Sequence, residues 1–451
     1  MSNSRNPEVA VPVVASLVRG AAGAFLFKAV GAASGFVVAI LLARYLGATQ
    51  AGIYYTAMPF VMMGAYFARL GLDQLAMREV AGARATGHAV ASLVRNLLVL
   101  VLAGALVCAV LVALAGPFVG YLYHQPELRW LMPLFGLAVF SIALFNLAGQ
   151  VLRGWEMIWH SSFILFAGHN LVHAALLIGL SLGAFSFLSF APLAGVGLSY
   201  VAGAGLTALL ALIWVWRIPR HAHVTQATEA NADRRALLAA GQPLLIYGLG
   251  AMSFQWTDTL VLAAVRESHE VAVYNSALRV AQAVGFVLLA VVAAAGPRFA
   301  ALYRANRTDE LMRSYRHATK LTFIAALPPV LLLWFAGEPI MALFGDDFRS
   351  GALPLAILAT GQLVNALTGP VGQLLIAAKQ EVLLRNLTLA VALLNIPLNL
   401  AFAPLWGGVG AASATALSMV LLNVGAVIYA VRRLGLPLLR PSAQAAGREA
   451  G

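Results

Sequence analysis

Of 451 residues, 61% are hydrophobic and only 10% are charged, with a mean hydropathy of +0.86. So few polar groups cannot cover a water-soluble core of this size, which excludes a soluble enzyme. The formal net charge of +12 comes with no polar face of interleaved basic and aromatic residues, so nucleic acid is excluded as a partner.

The first fifteen residues, with Arg5, Glu8, Pro7 and Pro12, lack a cleavable-signal pattern. Apolar stretches of about 20 residues can each cross the hydrocarbon as a helix. On that basis the first half predicts spans at 20–43, 52–71, 90–115, 130–152, 161–183 and 191–216. The second half predicts spans at 238–263, 271–296, 317–336, 352–376, 384–403 and 409–431, twelve in all. Short turn-rich joints such as LGATQ, VRESHE and FGDDFRS separate them, and the polar linker 217–235 sits almost midway. Cys108 is the single cysteine and lies in an apolar run, so no intramolecular disulfide or cysteine-based metal site is expected.

With both termini placed in the cytoplasm, the outer joints collect only Arg44, Arg129, Arg266 and Arg349. Lys28 and Arg279 stand inside spans, and every other lysine and arginine falls on the inner side. That asymmetry follows the positive-inside bias, and it assigns the high pI to topology and to contact with anionic phospholipids.

A phrase occurs twice: FAPLAGVG from Phe190 and FAPLWGGVG from Phe402. AGIYYTA at 51–57 likewise echoes VAVYNSA at 271–277, with Tyr54 matching Tyr274. Six predicted spans separate the copies, and an even number returns the chain to the same side, so the halves run in parallel sense. The expectation is an all-α integral membrane protein with 12 transmembrane helices in two parallel-related six-helix lobes around a central cleft. The lobes are 1–216 and 236–433, joined by a cytoplasmic linker at 217–235, and 434–451 is a disordered cytoplasmic tail.

The text LARYLGATQAGIYYTAMPF at 42–60, RLGLDQLAMREVA at 69–81 and QWTDTLVLAAVRESHEVAVYNSALRVAQ at 255–282 resembles the polysaccharide exporters, or lipid-linked oligosaccharide flippases, of the multidrug/oligosaccharidyl-lipid/polysaccharide superfamily. So does MALFGDDFRSGALPLAILATGQLVNALTGPVGQLL at 341–375 and LNIPLNLAFAPLWGGVGAASATALS at 394–418, and the likeness covers about 16–433. The resemblance implies a V-shaped pair of lobes enclosing the central cavity and coupling to an ion gradient, with H+ or Na+ as the coupling ion and no other cofactor. It implies an undecaprenyl-pyrophosphate-linked oligosaccharide as cargo, an anionic substrate moved from inner to outer leaflet of a bacterial inner membrane. Polysaccharide polymerase machinery is a further implied partner. Two internal halves are compatible with function as a monomer.

Lys28 and Arg279 are expected near mid-depth, where a charge costs about 2.5–3.5 kcal/mol on insertion scales unless it faces a wet cavity or a partner. Both are candidates to hold phosphate charge, and a purely architectural pairing is the bland alternative. The family commonly has an aspartate where Asp258 stands. It could pair with Lys28 or Arg279, or carry the coupling ion. Arg298 is a candidate for a cavity mouth, and Gln282, Gln362 and Asn365 are candidates for sugar contacts. Arg69, Asp73, Arg78 and Glu79 are candidates for an inner gate, against a plain solvated helix end. His169 and His173 share a helix face at i and i+4. Without a third ligand they read as interhelical hydrogen-bonding residues and not as a metal site. No nucleophile elbow, phosphate-binding loop or HExxH motif is present, so an enzyme is not expected. The competing functions are a multidrug or metabolite antiporter of the same superfamily and a non-transporting scaffold in polysaccharide assembly.

Overall fold

The computed structural model describes residues 10–86, 90–184, 191–218 and 233–433. Most of the predicted linker and the whole predicted tail at 434–451 lie outside the described residues, as do the two terminal ends. The described chain is helical almost throughout. Its elements are α1 (Ala10–Ala68), α2 (Leu72–Thr86), α3 (Val90–Leu122), α4 (Leu128–Gly154), α5 (Ile158–Ser162), α6 (His169–Ser181) and α7 (Pro192–Trp216), followed by α8 (Arg234–Val265), α9 (Ser268–Arg304), α10 (Thr308–Phe335), α11 (Gly337–Met341), α12 (Ala352–Thr368), α13 (Val371–Ala377) and α14 (Glu381–Arg433). A π-helical stretch, Phe163–Gly168, joins α5 to α6, and a 3₁₀ turn, Asp346–Gly351, leads into α12.

The expected twelve-helix, two-lobe arrangement with a V-shaped cavity is corrected. Among the described residues, eight helical stretches are long and apolar enough to cross a membrane by length and composition. Half of the difference arises at two glycines. The joint LGATQ, expected to part spans 20–43 and 52–71, falls at a kink where two helices meet without an intervening loop. It lies within α1, a 59-residue run whose φ and ψ leave the helical region only at Gly47 (φ 70°, ψ 173°). In the same way, 384–403 and 409–431 fall in the 53-residue α14, which breaks at Gly407 (φ 55°, ψ −132°). A straight helix of 59 residues would run about 90 Å, three times the hydrocarbon thickness, so such a run must bend. The expected spans 238–263 and 271–296 fall on α8 and α9, which are not among the eight. The two copies of the repeated phrase also behave differently: the first opens α7 with Pro192 in its first turn, whereas the second lies inside α14.

The chain divides into two compact units. One takes the residues up to Tyr45 together with Ala57–Gly248, and the other takes Leu46–Thr56 together with Leu249 onward. In the first unit α4 packs against α2, α3 and α7, and α6 packs on α7. Its core joins Leu72, Leu75 and Val80 of α2, Leu97 and Val101 of α3, and Leu147 and Val151 of α4. In the second unit α12 packs on α9, α10 and α14. A second core there joins Phe299 of α9, Tyr315 of α10, Leu374 of α13 and Ala430 of α14.

α3 shows why these helices belong in lipid. Leu93, Leu97, Val101 and Ala105 form a buried i, i+4 stripe, yet Leu106, Leu111, Leu114 and Phe118 are exposed. A helix apolar on every side is suited to hydrocarbon and not to water. The chain is a multi-pass membrane protein.

The bend in α14 is held by charge. Glu270 accepts the backbone N–H of Gly408 at 2.7 Å, and Arg266 donates to the Pro404 carbonyl at 2.9 Å. A Cβ on Gly407 would lie 1.8 Å from Glu270 Oε1, whereas one on Gly47 would meet nothing within 4 Å. Both positions carry the backbone penalty of about 1–3 kcal/mol for a non-glycine residue. Gly407→Ala should therefore lower the melting temperature of the detergent-purified protein more than Gly47→Ala. Equal shifts would show that Glu270 does not brace the bend.

Candidate functional site

In the first unit, Lys28 of α1 is exposed, and its ammonium stands 4.9 Å from the centroid of Phe166. Arg153, in the last turn of α4, is half-buried with its guanidinium 5.6 Å from the same centroid. Phe166 reaches this position through the π-helical stretch, whose extra residue per turn re-aims the side chains that follow. The helices approach closely here: a Cβ on Gly31 would lie 2.0 Å from the Phe166 carbonyl oxygen, and Asn170 donates to the Gly31 carbonyl at 3.0 Å. Around this point Phe27 meets Trp159 and Phe163 edge-on, and Trp214 contacts Phe163 and His160. Among the described residues, neither Lys28 nor Arg153 pairs with a carboxylate. Two cations thus share one aromatic ring with no carboxylate partner among the described residues.

In the second unit, Arg279 of α9 is half-buried, with its guanidinium 5.1 Å from the Tyr55 ring centroid. Its Nε and the Tyr55 hydroxyl are buried without hydrogen-bond partners among the described residues. Asp258 of α8 is 2% exposed. It meets none of the cations considered for it in this unit: Tyr274 donates to Oδ2 at 2.5 Å, the Thr259 N–H donates to Oδ1 at 2.7 Å, and Thr415 donates to Oδ2 at 3.3 Å. Thr259 also donates to Asn275 at 3.2 Å, extending the network along α9.

The remaining candidates are dispersed. Arg298 and Gln282 are exposed, and Gln362 and Asn365 are half-buried on α12, with the Gln362 amide oxygen facing Gly285 of α9. The four gate candidates separate into two kinds. Arg69 pairs with Asp73 at 2.7 Å, both well shielded, and stacks 5.1 Å from the Tyr66 ring, while Tyr66 donates to the Leu244 carbonyl at 2.9 Å. Arg78 and Glu79 pair at 3.2 Å on the surface. Arg84, which was not among the candidates, pairs with Glu156 at 2.5 Å and faces the Trp155 ring. His169 and His173 stack with ring centroids 5.8 Å apart beneath Tyr200, and among the described residues no group of three or more metal-ligating side chains converges.

Sequence reasoning named Lys28, Arg279 and Asp258. It missed Arg153, Phe166, Tyr55 and Thr415. Arg153 read as one more basic residue at the end of a span, and nothing in the local text marked Phe166 apart from its neighbours.

The family profile described as polysaccharide biosynthesis protein matches residues 17–303, and the MatE profile matches 243–401. The chain belongs to the polysaccharide biosynthesis protein family. This family member is 23% identical over 417 residues to the probable low-salt glycan biosynthesis flippase Agl15 of Haloferax volcanii, covering 90% of this chain and 82% of the relative. Its fold is that of an inward-facing multidrug resistance MATE family transporter of the MOP superfamily (TM-score 0.70, 16% identity, 93% of this chain and 100% of the other). It is also that of the lipid II flippase MurJ in an inward closed conformation (TM-score 0.70, 15% identity, 89% and 87%). The chain is a multi-pass membrane protein of this family, and it shares the fold of those two solved proteins.

The carboxylate network makes a stability prediction. Tyr274→Phe removes a 2.5 Å donor from a buried carboxyl group and should cost about 1–3 kcal/mol in thermal or denaturant unfolding. Thr415→Val, which removes a 3.3 Å contact, should cost clearly less. Equal costs would show that the tyrosine bond is not the main support of Asp258.

Proposed function

We propose that this transporter flips an undecaprenyl-pyrophosphate-linked oligosaccharide from the inner to the outer leaflet of a bacterial inner membrane. It works as a secondary transporter with access alternating between the two membrane faces. The observation that carries this reading is the set of basic groups with no carboxylate partner among the described residues: Lys28 and Arg153 on Phe166 in one unit, and Arg279 on Tyr55 in the other. A pyrophosphate offers the doubly charged, multiply accepting partner that such groups lack. The aromatic faces hold the cations in place while no anion is bound. Agl15, named as a probable glycan biosynthesis flippase, supports a lipid-linked glycan as cargo. Half-buried amides such as Gln362 and Asn365 supply neutral donors and acceptors suited to sugar hydroxyls. The polyprenyl tail stays in lipid throughout.

In this proposal Asp258 carries the coupling ion, H+ or Na+, within its ring of hydroxyls. The Arg69–Asp73 pair belongs to an inner gate that opens and closes during turnover, and both termini lie in the cytoplasm. One chain suffices for transport, beside polysaccharide polymerase machinery that uses the product.

A second reading rests on Asp258 alone. A buried acid within the MatE match, on the fold of a multidrug transporter, suits export of an organic cation by antiport.

Purified protein in vesicles, tested with a lipid-linked oligosaccharide and an imposed ion gradient, separates these readings. Lys28→Gln, Arg153→Gln and Arg279→Gln should each lower flipping about tenfold or more while leaving abundance and melting temperature near wild type. Asp258→Asn should leave flipping insensitive to the gradient. Uptake of an organic cation with no movement of the glycan lipid would favour the antiporter. Loss of flipping in proportion to abundance would assign the basic residues to folding, and no transport of either cargo would favour a scaffold.

A further inference from the structure

Within the second unit, α9 and α10 border a cavity of about 800 Å³. Its lining divides by chemistry. Val291, Ala295, Phe299 and Leu321 form an apolar wall continuous with the buried core around Phe299. Arg298, Arg313 and His317 form the polar side. Glu310 also borders it, but its carboxylate is already paired with Arg307. Among the described residues, neither Arg298 nor Arg313 pairs with a carboxylate. The His317 ring is fixed by a hydrogen bond between Nδ1 and the Arg313 carbonyl at 2.8 Å, which leaves its other nitrogen available to a ligand.

A small soluble anion would use only the basic side of such a cavity, and an apolar ligand would leave the exposed guanidinium groups of Arg298 and Arg313 unused. A molecule with a phosphate at one end and a hydrocarbon chain at the other uses both. The surroundings supply one: α10 is among the stretches able to cross a membrane, and Leu321 and Ile324 expose apolar surface beside the cavity. Its basic end, with Arg304, Arg307 and Lys320 nearby in sequence, is the kind that meets an anionic leaflet.

We propose that this cavity is a binding site for an anionic phospholipid, with the phosphate held by Arg298 and Arg313 and an acyl chain laid along Ala295, Phe299 and Leu321. The site is separate from the cation–aromatic pairs assigned to cargo, and it stands whether the cargo is a glycan lipid or an organic cation. It ties the α9–α10 pair to the leaflet by a specific lipid in place of a diffuse attraction.

The test is native mass spectrometry of the full-length protein in detergent, with phosphatidylglycerol or phosphatidylcholine added back. Phosphatidylglycerol should be retained in preference to phosphatidylcholine, and Arg298→Gln with Arg313→Gln should reduce its retention about tenfold. Arg304→Gln with Lys320→Gln removes the same charge outside the lining and should leave retention nearly unchanged. Leu321→Trp, which keeps every charge and narrows the apolar wall, should also reduce retention, and it serves alone should the double arginine variant fail to fold. Added inorganic phosphate should not displace the lipid. Equal loss in the two double variants would overturn the site in favour of general surface charge. Displacement by phosphate together with an unaffected Leu321→Trp variant would overturn the lipid in favour of a free anion.

Discussion

Hydrocarbon offers a peptide group no hydrogen-bond partner, and this constraint shapes the whole chain. It allows continuous helix and little else, so departures from helix are few and local. The long runs α1 and α14 leave helical geometry only at Gly47 and Gly407, where the missing Cβ makes the backbone angles accessible. The π-helical stretch before α6 widens a helix without breaking it. Neutral polar side chains obey the same rule by bonding back to their own helix. Ser34, Thr207, Thr322 and Ser413 each donate to the carbonyl four residues earlier at 2.8 Å. These groups are satisfied locally, so their presence inside a span does not mark a cargo path.

Charges cannot be satisfied within one helix so easily, and the ways in which this chain handles them divide its charged residues by role. Arg69 with Asp73 and Arg84 with Glu156 are neutralised pairs at helix ends. Arg266 and Glu270 brace a bend. Lys28, Arg153 and Arg279 rest on ring faces and pair with no carboxylate among the described residues. For Lys28 and Arg279, expected near mid-depth, a cation–π contact contributes about 0.5–2 kcal/mol, less than the insertion cost of about 2.5–3.5 kcal/mol for a charge there. An arrangement that orients a cation without discharging its demand for an anion is what a transient anionic cargo requires.

The membrane class was legible because composition reports it directly: nothing that is 61% hydrophobic with 10% charge can be wet on all sides. The helical spans were legible for the same reason, and Lys28, Arg279 and Asp258 stood out as charges amid apolar text. The span count was not, because turn-rich text such as LGATQ looks the same whether a helix ends there or bends through one glycine. The cation–aromatic groups were hidden for a different reason. Phe166 meets Lys28 and Arg153 across contacts between α1, α4 and the π-helical stretch, and periodicity within one helix carries no information about such meetings. The hydroxyl network around Asp258 was hidden on a smaller point. Threonine and tyrosine, common in any apolar helix, supplied enough donors to hold a carboxylate without a cation.

That last substitution bears on the choice of cargo. A carboxylate already receiving bonds from Tyr274, Thr259 and Thr415 is well solvated by the protein. An organic cation approaching it would compete with donors set at 2.5 and 2.7 Å, and its bulk would have to enter a site that is 2% exposed. A bare proton or Na+ faces no such steric demand, since either can join the oxygens without displacing a side chain far. The basic groups are in the opposite condition, half-buried or exposed and short of acceptors. One acid that is satisfied and closed, set against basic groups in each unit that have no carboxylate partner among the described residues, is the contrast on which the proposed small coupling ion and anionic cargo rest.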